Sequence, residues 1–265
     1  MDKNSLDIGM RMKEYEVRNR YYLQKKLPVI IRVDMRAGHT FTKGFKRPFD
    51  YIFMKTMQGT MKYMCENISG TKCAYSQSDE ISLFLSDYDK LETQPFFEYR
   101  VDKLCSISAS MATMIFNMIF RKNAEEYINN TMEYWNISTE EKKYIYVLEK
   151  AIEKGAMFDS RVFNIPKEEV TNYFYWRQLD ATRNSIQMVG QANFSHKELH
   201  KKSCNDIQDM LHEQKGINWN DFSVPEKRGS CCIKTENGWS IDKEIPVFKG
   251  EDREYIEKLV WCEEE

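Results

Sequence analysis

Three acidic side chains in this chain stand where they could act together. Asp34 ends the β-branched run Val29-Ile30-Ile31-Arg32-Val33-Asp34, and Asp79-Glu80 follow the polar Ser76-Gln77-Ser78 between two short apolar runs. If those runs are neighbouring strands, the carboxylates converge at one edge of a sheet. Two carboxylates roughly 5 Å apart repel by about 3 kcal/mol at an effective dielectric near 20. Such a pair is tolerated when protonated or when cations occupy it. Hard oxygen ligands with no His or Cys beside them suit Mg²⁺. Two such ions could activate an attacking oxygen and stabilise a leaving one at phosphorus. Cations able to balance a polyphosphate are close in sequence: Arg36, His39, Lys43, Lys46 and Arg47 follow Asp34, while Arg100 and Lys103 open a later helical pattern. Gly38 would let the backbone approach a ligand closely. Aspartates are also ordinary turn residues, and basic segments are often solvated faces, so spacing alone leaves both readings open.

The elements that must carry these residues are legible. Residues 6–24 read as a charged, Tyr-rich helix, and Pro28 introduces the first strand. Met54, Met57, Met61, Met64 and Ile68 recur at helical spacing, a stripe that reads as core, and Gly70 ends it. Two short strands follow at 73–75 and 81–85, with a hairpin turn over 76–79. A helix over 101–121 carries the small residues Ser106, Ser108, Ala109, Ser110 and Ala112, which suit packing on a sheet. Ser138 with Glu141 forms a capping box that opens another helix, closed by Gly155. Residues 157–165 read as a strand. The order β-α-β-β-α-β is that of a ferredoxin-like α+β fold, with an inserted helical segment at about 123–155. Past Pro166 a long helical pattern runs toward Gln191, a second helix starts at Ser195 with Glu198, and Asn237-Gly238 marks a hairpin. We therefore expect a domain over 1–165 and a helical and hairpin extension over 166–265, with a frayed Glu263-Glu264-Glu265 tail.

Composition narrows the class. The 265 residues are 42% hydrophobic and 13% aromatic, as in a globular chain. No continuous run of about 18 apolar residues is evident, and the polar N-terminus has no signal-like stretch, so neither a membrane span nor secretion is expected. Seven scattered cysteines without a C-x-x-C pair point to reduced thiols in a cytoplasmic setting. The net charge of −2 does not by itself suggest a nucleic acid partner.

The motifs, taken in order, resemble one family. Arg32-Val33-Asp34-Met35-Arg36-Ala37-Gly38-His39-Thr40-Phe41 is similar to the first metal and nucleotide motif of tRNA-histidine guanylyltransferases. Phe45-Lys46-Arg47-Pro48-Phe49-Asp50 resembles the segment after it, and Ala74-Tyr75-Ser76-Gln77-Ser78-Asp79-Glu80-Ile81-Ser82 resembles the family hairpin. Phe158-Asp159-Ser160-Arg161-Val162, Tyr173-Phe174-Tyr175-Trp176-Arg177-Gln178 and Lys227-Arg228-Gly229 extend the likeness. The resemblance implies a palm-like catalytic domain related to that of polymerases and cyclases, but working in the 3′–5′ direction.

By that resemblance Asp34, the Met35 carbonyl and Asp79 hold two Mg²⁺, supported by Glu80. Met35, Arg36, Ala37, Gly38, His39, Ser78 and Asp79 line the nucleotide, and Arg47, Arg100 and Lys103 neutralise triphosphate. Arg177, Asn184, Lys227 and Arg228 fall where tRNA would bind. The implied reaction is adenylylation of a tRNA 5′ end by ATP, then attack by the 3′-hydroxyl of GTP or another NTP. A cytoplasmic homotetramer is implied as well. Met35 departs from the family glycine. Thr182 and Arg183 replace the first two residues of a His-Ile-Asn-Asn-type motif, and Ser185 its last, while Asn184 is kept. This pattern resembles the bacterial and archaeal branch, which repairs truncated tRNA 5′ ends on a template.

Other readings are weaker. A palm-fold nucleotide cyclase lacks its Gly-Gly-Asp-Glu-Phe-type turn here, and an inactive tRNA-binding protein would not need both aspartates. His196 and His200 have metal-ligand spacing but no third ligand, so a solvated helix face is expected. Cys231-Cys232 read as packing residues, and Trp176 and Trp219 as stacking candidates that are more often buried.

Overall fold

The computed structural model describes residues 3–90, 92–133 and 136–261; Cys262 and the Glu263-Glu264-Glu265 tail lie outside them. The chain folds around one sheet of order β4-β1-β3-β2-β5-β6, antiparallel throughout. Its strands are β1 (Val29–Met35), β2 (Thr71–Gln77), β3 (Glu80–Leu85), β4 (Phe158–Asn164), β5 (Ser230–Thr235) and β6 (Gly238–Asp242). After the N-terminal α1 (Lys3–Val17), the single turn α2 (Gly38–Phe41) follows β1; α3 (Tyr51–Asn67) then leads to β2, and α4 (Val101–Met132) leads from β3 toward β4. The β-α-β-β-α-β expectation is met, with strand order β4-β1-β3-β2 inside the larger sheet.

The first strand is apolar almost throughout because both of its faces are covered. Val29, Ile31, Val33 and Met35 pack in a core with Met57, Met61 and Met64 of α3 and Phe116 and Phe120 of α4. Ile30 faces a second core with Phe174 of α6 (Lys167–Asn193) and Ile256 of α10 (Glu254–Val260). By strand alternation Arg32 and Asp34 share the α6 side with Ile30. Cys232 joins the first core and Cys231 the second, as packing residues on opposite faces.

Three expectations are corrected. The helix expected over 101–121 continues to Met132, so the insertion is the end of α4 plus α5 (Thr139–Lys154). By length and composition alone α4 is long and apolar enough to cross a membrane. Scattered polar residues interrupt its apolar stretches. In this fold those residues tie the helix to the sheet: Ser108 Oγ lies 2.7 Å from Ser160 Oγ, and Phe158 N–H donates to Thr113 Oγ1 at 3.0 Å. Second, α7 (His196–Leu199) is one turn only. Lys201 turns left-handed at φ 60°, and a new capping box of Ser203 with Asp206 starts α8 (Cys204–Lys215). Third, the sheet runs on across Pro166. The Asn237-Gly238 hairpin adds β5 to β2 and β6 to β5 instead of standing apart.

Candidate active site

The end of β1 and the tip of the β2–β3 hairpin are clamped together. Met35 N–H donates to the Asp79 carbonyl at 3.0 Å, and Asp34 is directly opposite Glu80 on one side and Asp159 on the other. The β strands extend through Gln77 and from Glu80, so the turn is only Ser78-Asp79, tighter than the four residues expected. Burial raises the Asp34 carboxyl above its ordinary value, and the charge of Asp79 raises it further; Asp159 adds to this, while Arg32 and Arg161 oppose it. Asp34 and Asp79 thus share one electrostatic site.

Gly38 has a role besides the expected approach to a ligand. A Cβ at this position would stand 1.9 Å from Asp79 Oδ2 and 2.9 Å from its Cγ. The missing side chain makes room for the Asp79 carboxylate. Met35 buries its side chain in the first core, so only its main chain faces the site. Ala37 (φ 54°) and Ser78 (φ 49°) are both left-handed, an uncommon backbone state found on each of the two segments that meet. Among the described residues no group of three or more His, Cys, Asp or Glu side chains forms a metal-binding cluster. The hard oxygen groups that the two segments bring together are the carboxylates of Asp34 and Asp79.

Beside Asp79 opens a cavity of about 560 Å³. Gly38, His39, Lys43, Lys46 and Arg47 line it from the segment after β1, Ser78 from the hairpin, and Met188 and Gln191 from α6. Arg36, His39, Lys43 and Arg47 are exposed. Lys46 is tethered: its Nζ donates to Tyr127 Oη at 2.7 Å and Glu141 at 3.3 Å, and lies over the rings of Tyr127 and Tyr144. The segment is anchored by Asp50, which reasoning from sequence missed. Its carboxylate caps α3 through Phe53 N–H (2.9 Å), accepts from Lys46 N–H (3.1 Å), and accepts from the Tyr144 hydroxyl (2.6 Å). A smaller cleft of about 90 Å³ adjoins, where Asn184 meets Lys227 and Arg228 of α9 (Val224–Arg228). Gly229 follows at φ 83°, its Cα against the Ser76 carbonyl so closely that a Cβ would sit 2.5 Å away. That contact explains the glycine of Lys227-Arg228-Gly229. Met188 and Gln191 were also missed, although they continue the Asn184 face of α6 at helical spacing.

Several expected site residues are placed elsewhere. Glu80 is buried, and its oxygens are engaged by Arg177 Nε (2.8 Å) and Nη2 (3.0 Å) and by Arg32 Nε (3.0 Å, out of line for a hydrogen bond). Burial raises its carboxyl above the ordinary value, with Arg177 and Arg32 opposing. Glu80 therefore braces the strand end against α6. Arg177, expected at a tRNA surface, is itself buried and also pairs with Asp180 at 3.0 Å. Arg100 and Lys103 are at the other end of the sheet. Val101 N–H bonds Tyr21 O, Leu23 N–H bonds Tyr99 O, and Gln24 N–H bonds Asn164, the partner of Val29. Five strand steps separate Val29 from Asp34, roughly 17 Å, because a helix entered from β3 starts at the edge where β3 ends. Within one chain the two cations do not reach the carboxylates, and Arg100 is held by Asp102 at 2.8 and 2.9 Å. Trp219 is buried and donates to Ser185 at 3.0 Å, so it offers no face to a base; Trp176 is exposed.

Comparison with known proteins places this geometry in context. The tRNAHis guanylyltransferase family model matches residues 9–166. A bacterial tRNA(His) guanylyltransferase-like protein solved with ATP is 44% identical, with TM-score 0.82, over 96% of this chain and 99% of that one. A GTP complex under the same description is 41% identical at TM-score 0.76, with the same coverage. The tRNA(His) guanylyltransferase of Debaryomyces hansenii is 26% identical over 84% of this chain and 78% of its own length.

Proposed function

The chain belongs to the tRNA(His) guanylyltransferase family, and from that premise we propose that it is a Mg²⁺-dependent nucleotidyltransferase extending the 5′ end of a tRNA in the 3′–5′ direction. The observation that carries this reading is the meeting of Asp34 and Asp79 beside a cavity lined by His39, Lys43 and Arg47. The donor set fits a hard divalent ion. Asp34 and Asp79 would hold it together with the Met35 carbonyl, and a bound cation would relieve the repulsion of the Asp34 carboxyl by Asp79 and Asp159. When bound, Mg²⁺ supplies charge neutralisation and Lewis acidity at phosphorus.

The chain's own residues position the reactants and balance their charge, which is most of what phosphoryl transfer needs. In the first step an oxygen of the RNA 5′-monophosphate bonds to the α-phosphorus of ATP, and pyrophosphate leaves. In the second, the 3′-hydroxyl oxygen of GTP or another NTP bonds to the RNA 5′-phosphorus; AMP leaves and the hydroxyl proton passes to solvent. A 5′-triphosphorylated RNA enters at the second step and releases pyrophosphate. The segment from Met35 to His39 cradles the triphosphate, with Ser78 opposite. Arg47 and Lys43 offset its charge as forked and point cations respectively. Asn184, Lys227 and Arg228 face the adjoining cleft and contact RNA.

Templated repair of truncated tRNA 5′ ends is the favoured substrate setting. Thr182-Arg183 in place of the eukaryotic motif supports it, as does the higher identity to the bacterial guanylyltransferase-like protein than to the yeast enzyme. A cytoplasmic location and a homotetramer belong to the same proposal; the free cysteines and the exposed Met114 and Met118 of α4 agree with them. The test is incubation with Mg²⁺, ATP, GTP and a 5′-truncated tRNA. RNA lengthened at its 5′ end is expected. A cyclic nucleotide would make the chain a cyclase, and RNA binding without any product would make it a binding protein.

A further inference from the structure

A second cavity, of about 550 Å³, adjoins the nucleotide cavity and is not used by the chemistry above. Arg47 and Gln191 line both, so the two lie side by side with these residues between them. Its walls carry Arg47, His196, His200, Lys201 and Lys202, and no carboxylate among the described residues lines it. In a chain of net charge −2 this is a local concentration of positive charge. The two nearest acids in sequence, both exposed, are engaged in helix caps, and Asp206 also lies close enough to Lys202 to feel its charge. Glu198 accepts from Ser195 N–H (2.8 Å), and Asp206 accepts from Ser203 N–H (2.8 Å), each completing a capping box. The same caps hold the rim. Lys201 is kept left-handed, and Lys202 N–H donates to Leu199 O at 3.1 Å. The floor is apolar, formed by Phe194, Leu199 and Ile207.

A strand whose 5′ end reacts at Asp34 and Asp79 must leave the nucleotide cavity along some surface, carrying one phosphate per nucleotide. A cation-lined groove with an apolar floor, beside that cavity and sharing Arg47 with it, is complementary to such a strand. We infer that this groove holds the sugar–phosphate backbone of the RNA acceptor end, with Lys201 and Lys202 on its phosphates and His196 and His200 beside them. This assignment rests on the proposed RNA substrate. It identifies a role for the His-Lys-Glu-Leu-His segment other than metal binding.

The test uses the full chain, a 5′-truncated tRNA transcript and ATP. Lys201→Ala/Lys202→Ala should weaken RNA binding by about tenfold and lower the salt slope of log Kd by about 1.5. ATP affinity, measured by calorimetry, should stay unchanged, and Lys201→Arg/Lys202→Arg should restore RNA binding. Both lysines are exposed, so the thermal midpoint should not move. Unchanged RNA affinity in the Ala variant, with wild type binding RNA normally, overturns the groove assignment alone. Loss of ATP affinity with RNA affinity intact also overturns it, giving the groove to a nucleotide polyphosphate. Wild-type protein that binds ATP but no RNA would defeat the substrate reading and this inference with it.

Discussion

Gly38→Ala tests whether the Asp79 position seen here is the working one. The added methyl would sit 1.9 Å from Asp79 Oδ2, whereas real Cβ contacts stay beyond 3.0 Å, so the carboxylate must retreat by about 1 Å or more. The backbone of Gly38 is not left-handed, and alanine can adopt it. Moving Asp79 off its rotamer costs about 1 kcal/mol, and alanine returns up to about 1 kcal/mol in helix propensity at the start of α2. The two offset, so the thermal midpoint should shift by no more than about 3 °C. Activity should respond far more, because an error near 1 Å in a catalytic group costs about 100-fold. The assay is single-turnover extension of a 5′-truncated tRNA across a Mg²⁺ titration, with Gly9→Ala as control, since nothing lies within 4 Å of a Cβ there. Gly38→Ala turnover within twofold of wild type would refute the reasoning.

Other consequences follow from the same geometry. Asp34→Asn should abolish extension yet raise the thermal midpoint of the metal-free protein at neutral pH. The folded-state carboxyl is raised, so its charged form opposes folding above that raised value; this penalty fades as pH falls back through the window toward the ordinary value of 3.8. A scan in which the gap between Asp34→Asn and wild type widens as pH falls would contradict it. Arg177→Met leaves a buried Glu80 with the poorly aligned Arg32 and a long 3.4 Å bond from Ser82 Oγ, and should cost about 3 kcal/mol in urea unfolding. Adding Glu80→Gln should recover much of that loss; no recovery would show that the pair is not the cause. Asp50→Ala removes a helix cap and two further hydrogen bonds, so a loss of about 3 kcal/mol is expected, with a raised KM for ATP as the segment carrying Arg47 loosens. An unchanged KM would separate Asp50 from the cavity.

Local pattern determined a good deal about this protein. Apolar runs and helical stripes are short-range signals, so strand β1, the hairpin, the methionine stripe of α3 and the β-α-β-β-α-β order were legible, along with the junction of Asp34 and Asp79. The family motifs pointed to the same place, and the tRNAHis guanylyltransferase match bears that resemblance out. Tertiary structure decided what side chains of one type actually do, because charge balance and reach depend on partners distant in the chain. Arg177, Arg100 and Lys103 looked alike as cations. One is buried against Glu80, and two stand at the far end of the sheet because α4 starts where β3 ends. Gly38 read as a ligand contact, and only packing revealed the carboxylate that fills its space. The continuation of the sheet past Pro166 and the groove beside Arg47 likewise join segments more than a hundred residues apart, a distance over which local periodicity carries no information.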